Sequence, residues 1–259
     1  MRQKHLFTFV FITTLFFASC KEKKNTKSDN IPKITLEKLT QSPAYSTASL
    51  ELKNWDTISQ EQDKNVSFNF QVKNYQLGAQ TQSPNANQLA NSDKGQHIHF
   101  IVNNQPYSAH YQSQFTKEMP NGVHHLVAFL SRSYHESVKN SNAVVVKKLT
   151  IGEQPKDSLN IQMQAPTLIY SRPKGTYSKT EAKDIMLDFF VLNTQLSKDG
   201  NKVKATINNK EFFITEWQPY LIKNLPIGKA TIELALVDAN GSVIPGPFNK
   251  VKRTITIEK

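Results

Sequence analysis

The sequence predicts an all-β fold in which one structural unit is written twice. Three observations carry that expectation. First, the chain aligns with itself: His97–Tyr107 lies over Lys202–Phe212, Met119–Gly122 over Leu225–Gly228, and Val145, Leu149 and Ile151 over Val251, Ile255 and Ile257. Second, the matched segments alternate apolar and polar residues with period two, as half-buried strands do. Val66, Phe68, Phe70 and Val72 match Ile185, Leu187, Phe189 and Val191 in this way. Third, no stretch after residue 20 carries a helical stripe, while fifteen Phe and eight Tyr argue against disorder.

The elements follow in order. Residues 1–19 read as a signal peptide: Arg2 and Lys4 precede a short apolar run, Leu6–Ala18, too short to span a bilayer as a helix. The run ends Phe17-Ala18-Ser19-Cys20, and Cys20 is the chain's one cysteine. Residues 20–33 then read as a polar tether. The first repeat unit spans 34–152, with strands expected near 47–53, 66–73, 97–102, 105–111, 113–118, 123–130 and 143–151. A stretch rich in Gln, Asn and Ser, 81–96, is an insertion the second unit lacks. Residues 153–164 form the linker and 165–259 the second unit. Each unit holds about seven short strands in roughly 100 residues, the size and strand count of an immunoglobulin-like β-sandwich.

Charge narrows the partners. The formal net charge is +11 and falls to +9 once the signal removes Arg2 and Lys4. The basic residues are dispersed, with no stripe of the kind nucleic-acid binding needs. With one cysteine, neither an intrachain disulfide nor a cysteine zinc cage can form.

Positions where the copies diverge point to a site. Ile98, Phe100 and Val102 match apolar Val203, Ala205 and Ile207 and point inward. His97, His99 and Ile101 match Lys202, Lys204 and Thr206 and point outward. A two-residue Asn103-Asn104 hairpin turn would place His97 opposite His110 and His99 opposite Ser108. His97, His99 and His110, with His125 as a fourth candidate, then form a nitrogen donor set for copper or zinc. Val127 and Phe129 share that outward face, and the loop carrying Arg132, Tyr134, His135 and Glu136 adjoins it, so the alternative is a ligand or partner face. A third reading is that these groups meet the 81–96 insertion or the other domain. Enzyme chemistry is not expected: there is no Gly-x-Ser-x-Gly elbow and no Gly-rich phosphate loop.

Two resemblances add to this. Ala18-Ser19-Cys20 resembles the lipobox of bacterial lipoproteins, which implies lipidation of Cys20. Phe17 stands where Leu is more usual. Lys21, rather than Asp, follows the cysteine, which in that family implies an outer-membrane location, periplasmic or surface-exposed. Asn74–Thr81, Gly95–Tyr111 and Ala128–Val138 resemble segments of uncharacterised bacterial lipoproteins with two tandem immunoglobulin-like domains, some of which are named phosphopeptide-binding. Pro120-x-Gly122 and Pro226-x-Gly228 resemble the turn entering the sixth strand of bacterial immunoglobulin-like domains. The implied function is a membrane-anchored cell-envelope binding protein for an unknown protein, peptide or glycan. The alternatives are a periplasmic copper or zinc binder and a structural envelope adaptor.

Overall fold

A computed structural model of the chain describes residues 33–55 and 64–259. The expected signal, Cys20 and nearly all of the expected tether lie outside the described residues. The sixteen strands among the described residues form two tandem immunoglobulin-like β-sandwiches. In the first, β2 (Ser49–Leu52), β3 (Asn65–Lys73) and β6 (Gln114–Glu118) make a three-stranded sheet. It faces β5 (Ser108–His110), β4 (His97–Val102), β7 (Gly122–Ser131) and β8 (Val144–Ile151), hydrogen-bonded in that order. Phe68, Phe70, Ile98, Phe100, Leu126 and Leu149 fill the space between, the inward set of each alternating strand.

The second sandwich repeats the plan. One sheet runs β14 (Tyr220–Lys223), β11 (Ile185–Leu192), β9 (Thr167–Arg172). The other runs β10 (Thr176–Tyr177), β16 (Lys250–Ile257), β15 (Gly228–Val237), β12 (Lys202–Ile207), β13 (Lys210–Ile214). Leu187, Phe189, Val203, Ala205, Ile232 and Leu234 are its core.

One boundary moves. β1 (Thr35–Lys38), expected in the first unit, instead pairs antiparallel with β14 at the edge of the second sandwich. Lys38–Glu216 and Glu37–Lys223 ion pairs flank it, at 2.7 and 2.8 Å. The chain therefore touches the second sandwich before it builds the first, and residues 39–45 cross between them as a strap.

A register also moves. Asn103 and Asn104 do adopt positive φ, 51° and 54°, and the Gln105 N–H bonds to Val102 O at 3.0 Å, as the two-residue turn requires. Beyond it, β5 pairs Ile98 with His110, His99 with Ala109 and Phe100 with Ser108. The pairing has slipped by one residue. Pro106 has no N–H to give the ladder, so one residue bulges out between the turn and β5. A one-residue slip sends every following side chain to the other face. In the second unit Glu211 stands in place of Pro106, and there Ile207 pairs with Lys210 and Val203 with Ile214 in unbroken register.

The outward face of β4 and β7 is not open. Residues Lys33–Lys259 form one compact unit. Within it Ile101, Tyr107, Val127 and Phe129 of the first sandwich pack on Ile169 and Phe190 of the second. The Phe129 and Phe190 rings lie 4.5 Å apart. The Asn104 side chain pins the turn to the second sandwich through Leu168 O, Phe248 O and the Tyr170 N–H. Two sheets thus meet face to face, and the histidines of β4 lie in their seam.

Candidate three-histidine centre at the seam

β4 presents His97 and His99 on one face because residues two apart on a strand share a face. Both side chains are fully buried. The third histidine comes from the loop after β7. Arg132 N–H bonds to Glu136 O at 2.8 Å and His135 N–H to Arg132 O at 2.9 Å, which closes a three-residue hairpin whose last loop residue, His135, has φ +69°. That left-handed conformation is uncommon for a residue with a side chain. The second unit has the same turn: Asp238 N–H to Ser242 O, Gly241 N–H to Asp238 O, and φ +85° at Gly241. His135 stands where its twin has glycine, and the strained backbone aims its imidazole back into the seam.

The ring nitrogens converge. His97 Nε2 lies 2.9 Å from His99 Nε2 and 3.1 Å from His135 Nδ1, and one nitrogen from each ring falls within 4.8 Å of the others. Three further contacts orient the rings, two at the outward nitrogens of His97 and His99 and one at the converging His135 Nδ1 itself. His97 Nδ1 is 2.8 Å from Gly95 O, His99 Nδ1 is 3.2 Å from Ser171 Oγ, and His135 Nδ1 is 3.2 Å from Tyr107 Oη. Gly95 is needed as glycine: φ is +79°, and a Cβ there would meet Gly78 O at 2.4 Å.

Hydrogen-bond arithmetic exposes a conflict at the centre. A carbonyl only accepts, so His97 Nδ1 carries the hydrogen that binds Gly95 O. Its Nε2 therefore has one in-plane lone pair and no hydrogen. Two other ring nitrogens approach that single lone pair. At most one can donate well to it, and the other contact sets lone pair against lone pair. A metal ion is the group that accepts all three lone pairs at once. Around a tetrahedral ion with metal–nitrogen bonds of ~2.0–2.1 Å, ligand nitrogens stand about 3.3 Å apart. The observed 2.9 and 3.1 Å need only a small opening. The Gly95 carbonyl and Ser171 hydroxyl are then the outer partners that metal-bound histidines characteristically have.

Electrostatics keep the donors neutral. Burial, opposed by the Gly95 hydrogen bond and aided by Arg172 and Lys174, takes His97 down to about 4. Burial and the neighbouring His97 hold His99 well below the usual imidazole range. Burial, then Arg172, takes His135 to about 2. Half-buried His135, Tyr111 and Lys174 mark the side nearest solvent.

The other expected site residues sort plainly. His110 is not in the cluster, because the slip at Pro106 turns it to the core face. There its ring lies 3.4 Å from that of Phe115, and Nε2 meets Ser108 Oγ at 2.9 Å. His125 shares the face with His99 but lies four residues along β7 from Phe129, the partner of His99, or about 13 Å. It stacks on Phe248, and its Nδ1 has no partner among the described residues. Val127 and Phe129 are closed under the second sandwich, so they offer no open ligand face. Tyr134 is buried with Leu39, Leu89 and Met186. Arg132 and Glu136 form a buried ion pair at 3.0 Å, which Pro43 O, Ser137 O and Ser42 Oγ complete. The insertion is folded onto this loop: Thr81 and Ser133 exchange two hydrogen bonds, each from backbone N–H to hydroxyl. Arg172 donates to Tyr107 Oη, and Arg253 to Ser171 O and Asn104 O, so the three arginines among the described residues bind internal acceptors rather than a phosphate site.

Sequence reasoning missed Tyr107, Ser171, Arg172 and Lys174 as neighbours of the site. His135 had a readable signal, its alignment over Gly241.

Burial also lowers His110, with Lys117 adding to it, and lowers His125, each to about 4. An unfolded histidine titrates near ~6.5. Between those values the unfolded chain binds protons that the folded chain refuses, so stability falls as pH drops from about 6.5 to 4. The Tm of chelator-treated protein is expected to decline through that window and to be flat above it. His125→Phe should shallow the slope, and a wild-type slope in that variant would remove His125 from this account.

No family model and no curated protein matches the chain. Solved structures do. A structure of Clostridium thermocellum CbhA fibronectin(III)-like modules is 10% identical, over 81% of this chain and 94% of that one, with a TM-score of 0.28. The Bacteroides ovatus mixed-linkage glucan utilization locus protein SGBP-B, in complex with a mixed-linkage heptasaccharide, is 11% identical over 77% of this chain and 42% of that one, TM-score 0.22. The two tandem V-type regions of VCBP3, a v-region-containing chitin binding protein, are 8% identical over 82% and 99%, TM-score 0.23. At such identities and TM-scores these likenesses carry no weight in assigning what this chain binds.

Proposed function

We propose that the chain is a lipid-anchored, non-catalytic protein of the bacterial cell envelope that holds one transition-metal ion, copper or zinc, between its two sandwiches. The observation that carries this reading is the convergence of His97 Nε2, His99 Nε2 and His135 Nδ1 with a single lone pair available to two contacts. Imidazole nitrogens suit zinc and copper, and three of them leave a further position open. The lipobox-like Ala18-Ser19-Cys20 supports the anchor, and lipid chains on Cys20 would hold the protein at a membrane surface.

A second reading, a rigid envelope adaptor with no ligand, is favoured by the buried Arg132–Glu136 and Lys139–Asp188 pairs that brace the seam and its flank. Metal titration separates the two. The chain from residue 21 should take up one equivalent of Cu²⁺ or Zn²⁺ with sub-micromolar affinity, and His97→Ala should abolish it. His110→Ala and His125→Ala should bind as the wild type does. Failure of wild-type protein to bind either ion would leave the adaptor.

A further inference from the structure

We infer that Tyr107 Oη is the fourth ligand of this centre, and that its cargo is therefore a divalent late transition-metal ion, Cu²⁺ or Zn²⁺, in preference to Cu⁺. The inference rests on the metal reading above and assigns it a charge.

Three observations support it. The first is geometric. Tyr107 Oη stands 3.2 Å from His135 Nδ1, close to the ligand–ligand spacing of about 3.3 Å in a tetrahedral centre. The Tyr107 ring is stacked on His99 at 3.5 Å and 13°, which fixes the ring against the cluster. The bulge after the Asn103-Asn104 turn sets the register that brings Tyr107 into the seam.

The second is charge. Three neutral imidazoles would leave a divalent ion uncompensated, and the site already adjoins two cations. Arg172 Nη1 donates to Tyr107 Oη at 3.2 Å, and Lys174 Nζ lies 3.7 Å from the centre of the Tyr107 ring. Neither nearby carboxylate is free to balance the ion. Glu136 faces Arg132 and Ser42, and Asp188 faces Ser137 and Lys139. The Tyr107 phenol can supply the anion. On binding, its O–H bond breaks, its proton leaves to the buffer, and the oxygen pair forms the fourth bond to the ion. Nothing is oxidised or reduced. Arg172 remains as hydrogen-bond donor to the phenolate, a charge-assisted bond. Cu⁺ carries a single charge and favours soft sulfur over a hard phenolate oxygen, so it gains little from this ligand.

The third is the internal repeat. In the second unit Phe212 pairs with Ala205 as Ser108 pairs with Phe100, so the place of Tyr107 falls to Glu211, and that unit has neither a tyrosine there nor any histidine. Hydroxyl and histidines occur together in one copy.

The test uses the chain from residue 21 and CuCl₂ followed by visible absorption. A phenolate bound to Cu²⁺ gives a charge-transfer band that imidazole ligands alone do not. Expected is a band growing to one equivalent, with one proton released per ion in weak buffer. Tyr107→Phe should lose the band and the proton while His97, His99 and His135 still hold Cu²⁺, at least tenfold more weakly. Stoichiometric Cu²⁺ uptake by the wild type without the band and without proton release overturns Tyr107 as a ligand and leaves the three-histidine centre standing. No uptake at all overturns both. The wild-type band and proton count decide the matter even if the variant folds poorly.

Discussion

Asp188→Ala is expected to cost about 3–5 kcal/mol of stability, as removal of one partner from a buried ion pair does. Asp188 lies on β11 at its bulge and has no exposed surface. Its carboxylate accepts from Ser137 N at 3.2 Å, Ser137 Oγ at 2.9 Å and Lys139 Nζ at 2.5 Å. All three donors belong to the first sandwich, so the pair ties the seam as well as the core. Truncation leaves the largely buried Lys139 ammonium without its counter-charge, and the Ser137 N–H without an acceptor. The ammonium then loses its place over Phe190 and Trp217, 5.4 and 5.6 Å from their ring centres. Trp217 donates to Phe189 O, so its fluorescence reports on this corner of the second sandwich. Urea denaturation followed by tryptophan emission is the measurement. The double variant Asp188→Ala/Lys139→Ala should recover part of the loss, because the stranded charge is gone. A single-variant loss below about 1 kcal/mol would mean that water already relieves the pair and that the seam is held by its apolar contacts alone.

The repeat made most of the fold legible. Period-two alternation placed the strands of both units, and comparison of the copies separated inward Ile98, Phe100 and Val102 from outward His97, His99 and Ile101, as the structure has them. What composition and periodicity do not encode is what covers an outward face. Val127 and Phe129 read equally as a ligand surface or a docking surface, and the second sandwich occupies them. Register was lost to a single residue: the Asn-Asn turn is as expected, but Pro106 interrupts the ladder and exchanges His110 for Tyr107 at the seam. β1 escaped the expected boundary because a four-residue edge strand names no partner in its own sequence. Its place is set by β14, nearly two hundred residues later.

His135→Gly is expected to separate binding from folding, with effects of opposite sign. A left-handed backbone costs a residue with a Cβ roughly 1–2 kcal/mol, and glycine does not incur that cost. The second unit already uses Gly241 in this turn. The variant should therefore fold at least as stably as the wild type, with the gain offset in part by the lost Tyr107 and His97 contacts of the imidazole. Its affinity for Cu²⁺ or Zn²⁺ should fall by at least about 100-fold, since a direct nitrogen ligand is lost and even outer partners of a ligand are worth ~10–100-fold. His135→Ala supplies the control. It removes the same nitrogen but keeps the strained backbone, so it should be less stable than His135→Gly by about 1 kcal/mol at equal loss of affinity. Thermal melts of the chelator-treated proteins and competition titrations read the two quantities independently. If His135→Gly lost stability by more than about 2 kcal/mol, the imidazole would be a packing element of the seam. A gain in stability with binding lost would mean that the first unit carries its strained histidine for the ion, at a position where the chain's own second copy folds the same turn with glycine.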